Sequence, residues 1–189
     1  MINKKFIKKL KENFNNNESE RRQIISLSNI VLHDSKRAIF ALHRNELKKA
    51  EEKIKEVEEV IQKLGKKFGY TRLSQEGAYR AGAEEYVEAK MFYLILTGQK
   101  VDQVKKIKLY YDSYLGGICD LTGELVRRAI NEAAVGRFSE VTKIKKTISD
   151  IMAELVEFDM TGYLRTKYDQ AKGNLRKIEQ IDYEIKIRG

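Results

Sequence analysis

The chain is 189 residues long, 42% hydrophobic and 34% charged, about one domain in length and too apolar for a disordered segment. It contains no proline, which argues against an all-β fold with its many Pro- and Gly-rich turns and for long uninterrupted helices. Lys and Arg outnumber Asp and Glu by 37 to 28, a net charge of +9 that favours polyanionic partners.

Residues 2–13 predict a short basic amphipathic helix with Phe6, Ile7 and Leu10 on its apolar side. The segment 1–16 is thus a basic N-terminal helix or surface arm. It lacks the continuous apolar core of a signal peptide. Asn15-Asn16-Asn17 breaks it, and Asn17 with Glu20 makes a capping-box-like start for the next helix. There Ile24, Leu27, Val31, Ala38 and Leu42 recur at threes and fours. From about Glu46 a further stripe runs through Ala50, Ile54, Val57, Val60, Ile61 and Leu64, and Gly65 and Gly69 end it. Ser74 can cap a helix over about 75–97, which stops at Gly98. Helices over about 101–134, 138–157 and 162–187 complete the chain.

No strand alternation, linker or repeat interrupts this pattern. The expected fold is all-α, one domain over 1–189, packed as a bundle of six or seven helices. The longest apolar run, Met91–Leu96, is far short of a membrane span. The lone Cys119 makes no internal disulfide and no zinc cluster. A soluble, cytoplasmic protein is expected.

Two places depart from ordinary solvated helix faces. Glu85 and Glu88 are i,i+3 and share a face, which continues into the apolar Ala81, Phe92 and Ile95. Carboxylates in such company need compensation. Asp120 and Glu124 are i,i+4 in Leu115-Gly116-Gly117-Ile118-Cys119-Asp120-Leu121-Thr122-Gly123-Glu124-Leu125. Three glycines within one helix each cost about 1 kcal/mol relative to Ala, which points to close approach by another backbone or a ligand. Were the two helices to face each other, four acids would converge and a divalent cation would relieve their repulsion. All-oxygen ligation suits Mg²⁺ or Mn²⁺. Spacing alone favours plain ion pairs with neighbouring lysines and with Arg127 and Arg128. A di-iron bundle usually carries Glu-x-x-His on two helices. Neither His33 nor His43 has a Glu three residues before it.

His33, Arg37, Phe40 and Arg44 form one stripe flanked by Lys36. Cations with an interleaved aromatic suit single-stranded nucleic acid, and a buried Phe40 with solvated cations explains the pattern equally well. His43 alone reads as a structural hydrogen-bonding residue.

Ser28-Asn29-Ile30 and Ser35-Lys36-Arg37-Ala38-Ile39-Phe40-Ala41-Leu42-His43-Arg44 resemble the opening of the Trax (translin-associated factor X) branch of the translin family. Glu85-Tyr86-Val87-Glu88-Ala89, then Tyr114-Leu115-Gly116-Gly117 with Asp120-Leu121-Thr122-Gly123-Glu124-Leu125, resemble its two central motifs. Tyr183-Glu184-Ile185-Lys186-Ile187-Arg188-Gly189 resembles the end of its core. The resemblance implies a roughly seven-helix subunit and an octameric shell enclosing RNA. It implies Mg²⁺-dependent cleavage of single-stranded RNA, with Glu85, Glu88, Asp120 and Glu124 as catalytic and metal-binding acids. Translin itself lacks this full acidic set and mainly binds nucleic acid, so a non-catalytic single-stranded RNA- or DNA-binding protein is the alternative. Arg37, Arg44, Arg127 and Arg128 are the candidate RNA-phosphate contacts. The chain lacks the long extensions of the animal proteins, as archaeal members do, and a minimal chain is expected to assemble with itself.

Overall fold

The computed structural model describes residues 2–105 and 107–188, so Gly189 of the closing motif lies outside the described residues. They form seven helices and no strand. The helices are α1 (Lys4–His43), α2 (Leu47–Phe68), α3 (Tyr70–Ser74), α4 (Gly77–Leu96), α5 (Tyr111–Ala134), α6 (Phe138–Leu155) and α7 (Gly162–Arg188).

The expected break at Asn15-Asn16-Asn17 is absent, and α1 runs unbroken for 40 residues. Asn is a mediocre helix former but neither removes a donor nor frees the backbone as Pro or Gly would. The cap is Asn3, whose side chain accepts from the Lys5 and Phe6 amides at 3.0 and 3.2 Å. Ile24 is the first α1 residue in the core, and Phe6, Ile7 and Leu10 are exposed. α2 buries Ala50, Ile54, Val57, Ile61 and Leu64. It continues past Gly65 and stops at Gly69, whose φ of 74° only glycine adopts cheaply. Ser74 lies in the short α3 instead of capping α4, and its hydroxyl donates to the Thr71 carbonyl.

The larger correction is the start of α5, which begins at Tyr111 and not near 101. Residues 97–105 and 107–110 belong to an irregular strap. Its need follows from direction. Lys36 of α1 lies beside Glu85 of α4, and His43 lies beside Phe92. Glu84 of α4 meets Gly116 of α5, and Lys167 of α7 meets Asp120. α1, α4, α5 and α7 therefore run the same way. Parallel neighbours need a connection that travels back along their length. The strap is held by its Val104 amide, which donates to the Tyr114 hydroxyl at 3.1 Å.

α6 returns antiparallel and is tied to α7 at Asp182. This buried carboxylate accepts from Lys145 at 2.7 Å, Lys186 at 2.9 Å and Thr142 at 3.2 Å. The bonds to Lys145 and Lys186 pull its pKa from 3.8 down to about 2. Its folded value lies below its unfolded one, so its stabilisation is full above the unfolded pKa and is lost as pH falls toward 2. Asp182→Asn is expected to cost about 2 kcal/mol at neutral pH. Urea unfolding of wild type and variant between pH 7 and pH 2 should show that difference shrink as the acid limit is approached.

Candidate active site

The α4–α5 contact decides where the acids fall. A Cβ on Gly117 would sit 2.7 Å from the Glu84 carbonyl oxygen and 2.8 Å from Val87 Cβ. A Cβ on Gly116 would sit 2.8 Å from the Glu84 carboxyl carbon. These glycines therefore admit the neighbouring helix itself. With the helices this close, Glu85 and Glu88 of α4 feel the charges of Asp120 and Glu124 of α5. The structure thus brings the four sequence-predicted acids into mutual electrostatic reach.

Their surroundings are unequal. Glu124 accepts from His43 Nε2 and lies 3.6 Å from Arg127. A carboxylate can only accept, so Nε2 carries the proton. The His43 side chain is nearly buried, rests on the Phe92 ring at 5.0 Å, and among the described residues has no partner for Nδ1. Asp120 accepts from Lys167 of α7. Lys167 also lies 3.5 Å from Glu84, which accepts from the Tyr163 hydroxyl at 2.8 Å. Burial opposes the Lys167 charge, but the bonds to Asp120 and Tyr163 prevail and raise its pKa. Among the described residues Glu85 pairs only with Lys36, at 3.9 Å. Burial raises the Glu85 pKa, Lys36 opposes, and Asp120 and Glu124 add to the rise.

Glu88 is the exception. Among the described residues it has neither ion pair nor hydrogen bond, yet it is only 8% exposed. Burial first, then Glu85, Asp120 and Glu124, push its pKa up to about 9. A buried acid without a counter-charge is a cost that structure-making contacts do not require, and such groups concentrate at functional sites. The donor set around it is oxygen-rich, with His43 at one edge, which fits a hard divalent cation. Among the described residues no three His, Cys, Asp or Glu side chains are already drawn into a metal-ligand cluster. Lys167 pairs with Asp120 and His43 hydrogen-bonds Glu124 instead.

The basic stripe borders this acidic centre. Phe40 is not core but 52% exposed, and the Arg127 guanidinium lies over its ring at 5.2 Å. Arg37 and Arg44 are exposed and pair with Asp34 at 2.6 Å and Glu46 at 3.1 Å. Arg128 is different in kind. It pairs with the buried Glu132 at 2.7 Å and donates to the Leu42 and His43 carbonyls and to Asn45. It closes the C-terminal end of α1, and its guanidinium is committed inside the fold. Arg128→Ala is expected to lose about 3 kcal/mol, since it strips a buried carboxylate of a partner. Arg37→Ala should stay within about 0.5 kcal/mol of wild type. Thermal melts of the two variants check this.

Sequence reasoning missed Lys167, Tyr163 and Glu84 as members of the site, and gave His43 no part in it. Tyr163 and Lys167 are i,i+4 on one face of α7, but nothing in the sequence shows that this face meets α4 and α5.

Fold and site together define an all-helical bundle with a half-buried acidic centre beside a basic, aromatic edge. Residues 19–189 match the Translin family, and the chain belongs to that family. An uncharacterized protein of Methanocaldococcus jannaschii is 28% identical over 167 residues, 86% of this chain and 74% of that one. The Translin-associated protein X homolog of Schizosaccharomyces pombe is 26% identical over 194 residues, 90% of this chain and 83% of that one. Translin of Gallus gallus is 30% identical over 95 residues, half of this chain and 42% of translin. The similarity to the Trax homolog spans nearly the whole chain, in keeping with a Trax-like minimal member. The crystal structure of AfC3PO superposes with a TM-score of 0.87 at 20% identity, covering 96% of this chain and 97% of that one. A structure of AfC3PO with duplex RNA gives a TM-score of 0.85 at 19% identity, with 96% and 97% covered. No helix is long and apolar enough to cross a membrane among the described residues.

Proposed function

We propose that this protein is a divalent-metal-dependent endoribonuclease of the Trax type, with Mg²⁺ or Mn²⁺ held by Glu85, Glu88, Asp120 and Glu124. The observation that carries the reading is Glu88, a buried carboxylate among three other acids with no cation of its own. A bound divalent ion supplies a water of lowered pKa and a counter-charge for the scissile phosphate. The chain's own residues do the rest. His43 fixes the Glu124 carboxylate, and Lys167 fixes Asp120 against α7. Arg37, Arg44 and Arg127 line the exposed edge beside Phe40 and hold RNA phosphates there, while Phe40 offers a stacking face. Arg128 drops out of the phosphate set because of its structural commitment.

RNA is the polyanion that the net charge of +9 and the relatives favour. Single strands fit the exposed Phe40, and the AfC3PO complex brings duplex RNA into the test as a second substrate. The assembly proposed is a homo-oligomer, an octameric shell around the RNA.

A second reading has its own observation. Lys167 already pairs with Asp120 and His43 already hydrogen-bonds Glu124, which suits a translin-like RNA-binding protein without catalysis. Labelled single-stranded and duplex RNA, incubated with Mg²⁺, Mn²⁺ or EDTA, separates the two. Cleavage with either ion that stops in EDTA is the expected result. Salt-dependent binding with no product under any metal favours the second reading, and cleavage that persists in EDTA overturns the metal mechanism. Calorimetric titration of Mn²⁺ without RNA reads metal binding independently of activity.

A further inference from the structure

The first part of α1 projects beyond the bundle. Every residue from 2 to 17 is exposed, and the match to the family begins only at residue 19. The exposure includes large apolar side chains: Phe6, Ile7, Leu10 and Phe14 are 59, 43, 53 and 64% exposed. Phe6 and Leu10 stand eighteen residues, about five helical turns, before Ile24 and Ser28. They thus lie on the face that α1 buries farther along. The core-facing stripe continues into the arm, but among the described residues no helix lies beneath it. Lys4, Lys5, Lys8, Lys9 and Lys11 cover the rest of the arm.

A continuous helix capped at Asn3 cannot fold back onto its own bundle. Residues 4–18 extend about 22 Å, so none of the described residues reaches back to cover their apolar face, and a second molecule can. RNA would satisfy the lysines and leave Phe6, Leu10 and Phe14 wet. The chain itself offers a better match. Val101 of the strap, Ile118 of α5, Ile151 of α6 and Phe158 just after α6 line an apolar groove, and Asp150 and Glu154 of α6 stand along it. Val101 and Phe158 are 40% and 51% exposed. We propose that the arm of one copy docks in this groove of a second copy, apolar stripe inward, its lysines meeting Asp150 and Glu154. The arm is thereby a self-assembly element, and it gives the proposed homo-oligomer, on which it rests, a specific contact.

The test uses the full chain. Light scattering reads the mass of wild type, of the triple variant Phe6→Glu, Leu10→Glu, Phe14→Glu, and of Phe158→Glu. All four sites are exposed, and circular dichroism checks that the fold persists. The expected result is an assembled wild type whose mass falls at least by half in both variants. In a second arm, Leu10→Cys and Phe158→Cys chains are oxidised separately and mixed, with the buried Cys119 left in place. The disulfide-linked pair should form only in the mixture. A triple variant that keeps the wild-type mass overturns the proposal. So does a Leu10→Cys chain that cross-links efficiently to itself, which would mean arm-to-arm pairing. Loss of binding to anionic vesicles in the triple variant, with mass unchanged, would assign the arm to a membrane surface and overturn it too. A wild type that runs as a single chain sinks the oligomer reading itself.

Discussion

Replacing Glu88 with Gln should cut metal-dependent RNA cleavage on the order of 100-fold or more while making the metal-free protein more stable. The two effects have one cause. In the unfolded chain Glu88 ionises near its usual value of 4.5, whereas in the fold its pKa is pushed up to about 9. Between those values folding must add a proton to this side chain, so stability falls as pH rises through the window and levels off above it. The amide has no such requirement. The stability gain of Glu88→Gln should therefore be small at pH 5, grow toward pH 9, and reach a couple of kcal/mol at neutral pH. Each kcal/mol moves Tm by about 2–4 °C for a chain of this size. Melts across pH in EDTA, with cleavage assays in Mg²⁺, check both halves. A variant that is less stable at pH 8 and still cleaves would show that Glu88 is an ordinary core residue.

The second large effect is expected at Gly117. Its substitution by Ala would place a Cβ 2.7 Å from the Glu84 carbonyl oxygen. That is backbone, with no flexible end to move aside, so α4 and α5 must separate. Overpacking of this kind costs about 1–3 kcal/mol, even after the roughly 1 kcal/mol that Ala gains over Gly in a helix. Separation also spreads the four acids, so cleavage should fall with stability. Gly123 is the control. On the same helix its Cβ would meet only the Asn174 amide nitrogen at 3.5 Å, an ordinary contact. Gly123→Ala should be neutral or stabilise by up to about 1 kcal/mol. Denaturant unfolding of both variants decides whether helix proximity or helix propensity governs these positions.

The reach of the sequence differed from element to element for physical reasons. Helical periodicity placed the buried faces of α1 from Ile24 onward and of α2 correctly, because a stripe at threes and fours has one use in a bundle. It failed where local chemistry resembles a boundary without being one. The three asparagines looked like a stop, yet α1 crosses them. The segment 101–110 looked helical, yet the parallel arrangement of α4 and α5 demands a return strap there, and direction is a tertiary fact. The acid pairs were visible as pairs, and their convergence rests on glycines that the sequence also displayed. What compensates them was not visible. Lys167 stands 47 positions from Asp120 and His43 81 from Glu124, and no spacing rule spans such distances. Arg128, guessed as a phosphate contact, is instead held by Glu132 and the end of α1.

The parallel run of α4, α5 and α7 also sets an order of assembly. A ribosome delivers α1, α4 and α5 before α7, so the four acids are made and can pack before Lys167 exists. Until α7 emerges, Asp120 and Glu84 lack the cation that holds them, and closing α4 onto α5 brings uncompensated like charges together. The hairpin of α1 and α2 has no such obstacle, since its buried stripe is apolar and local. The acidic centre therefore closes only after the first turns of α7 have emerged.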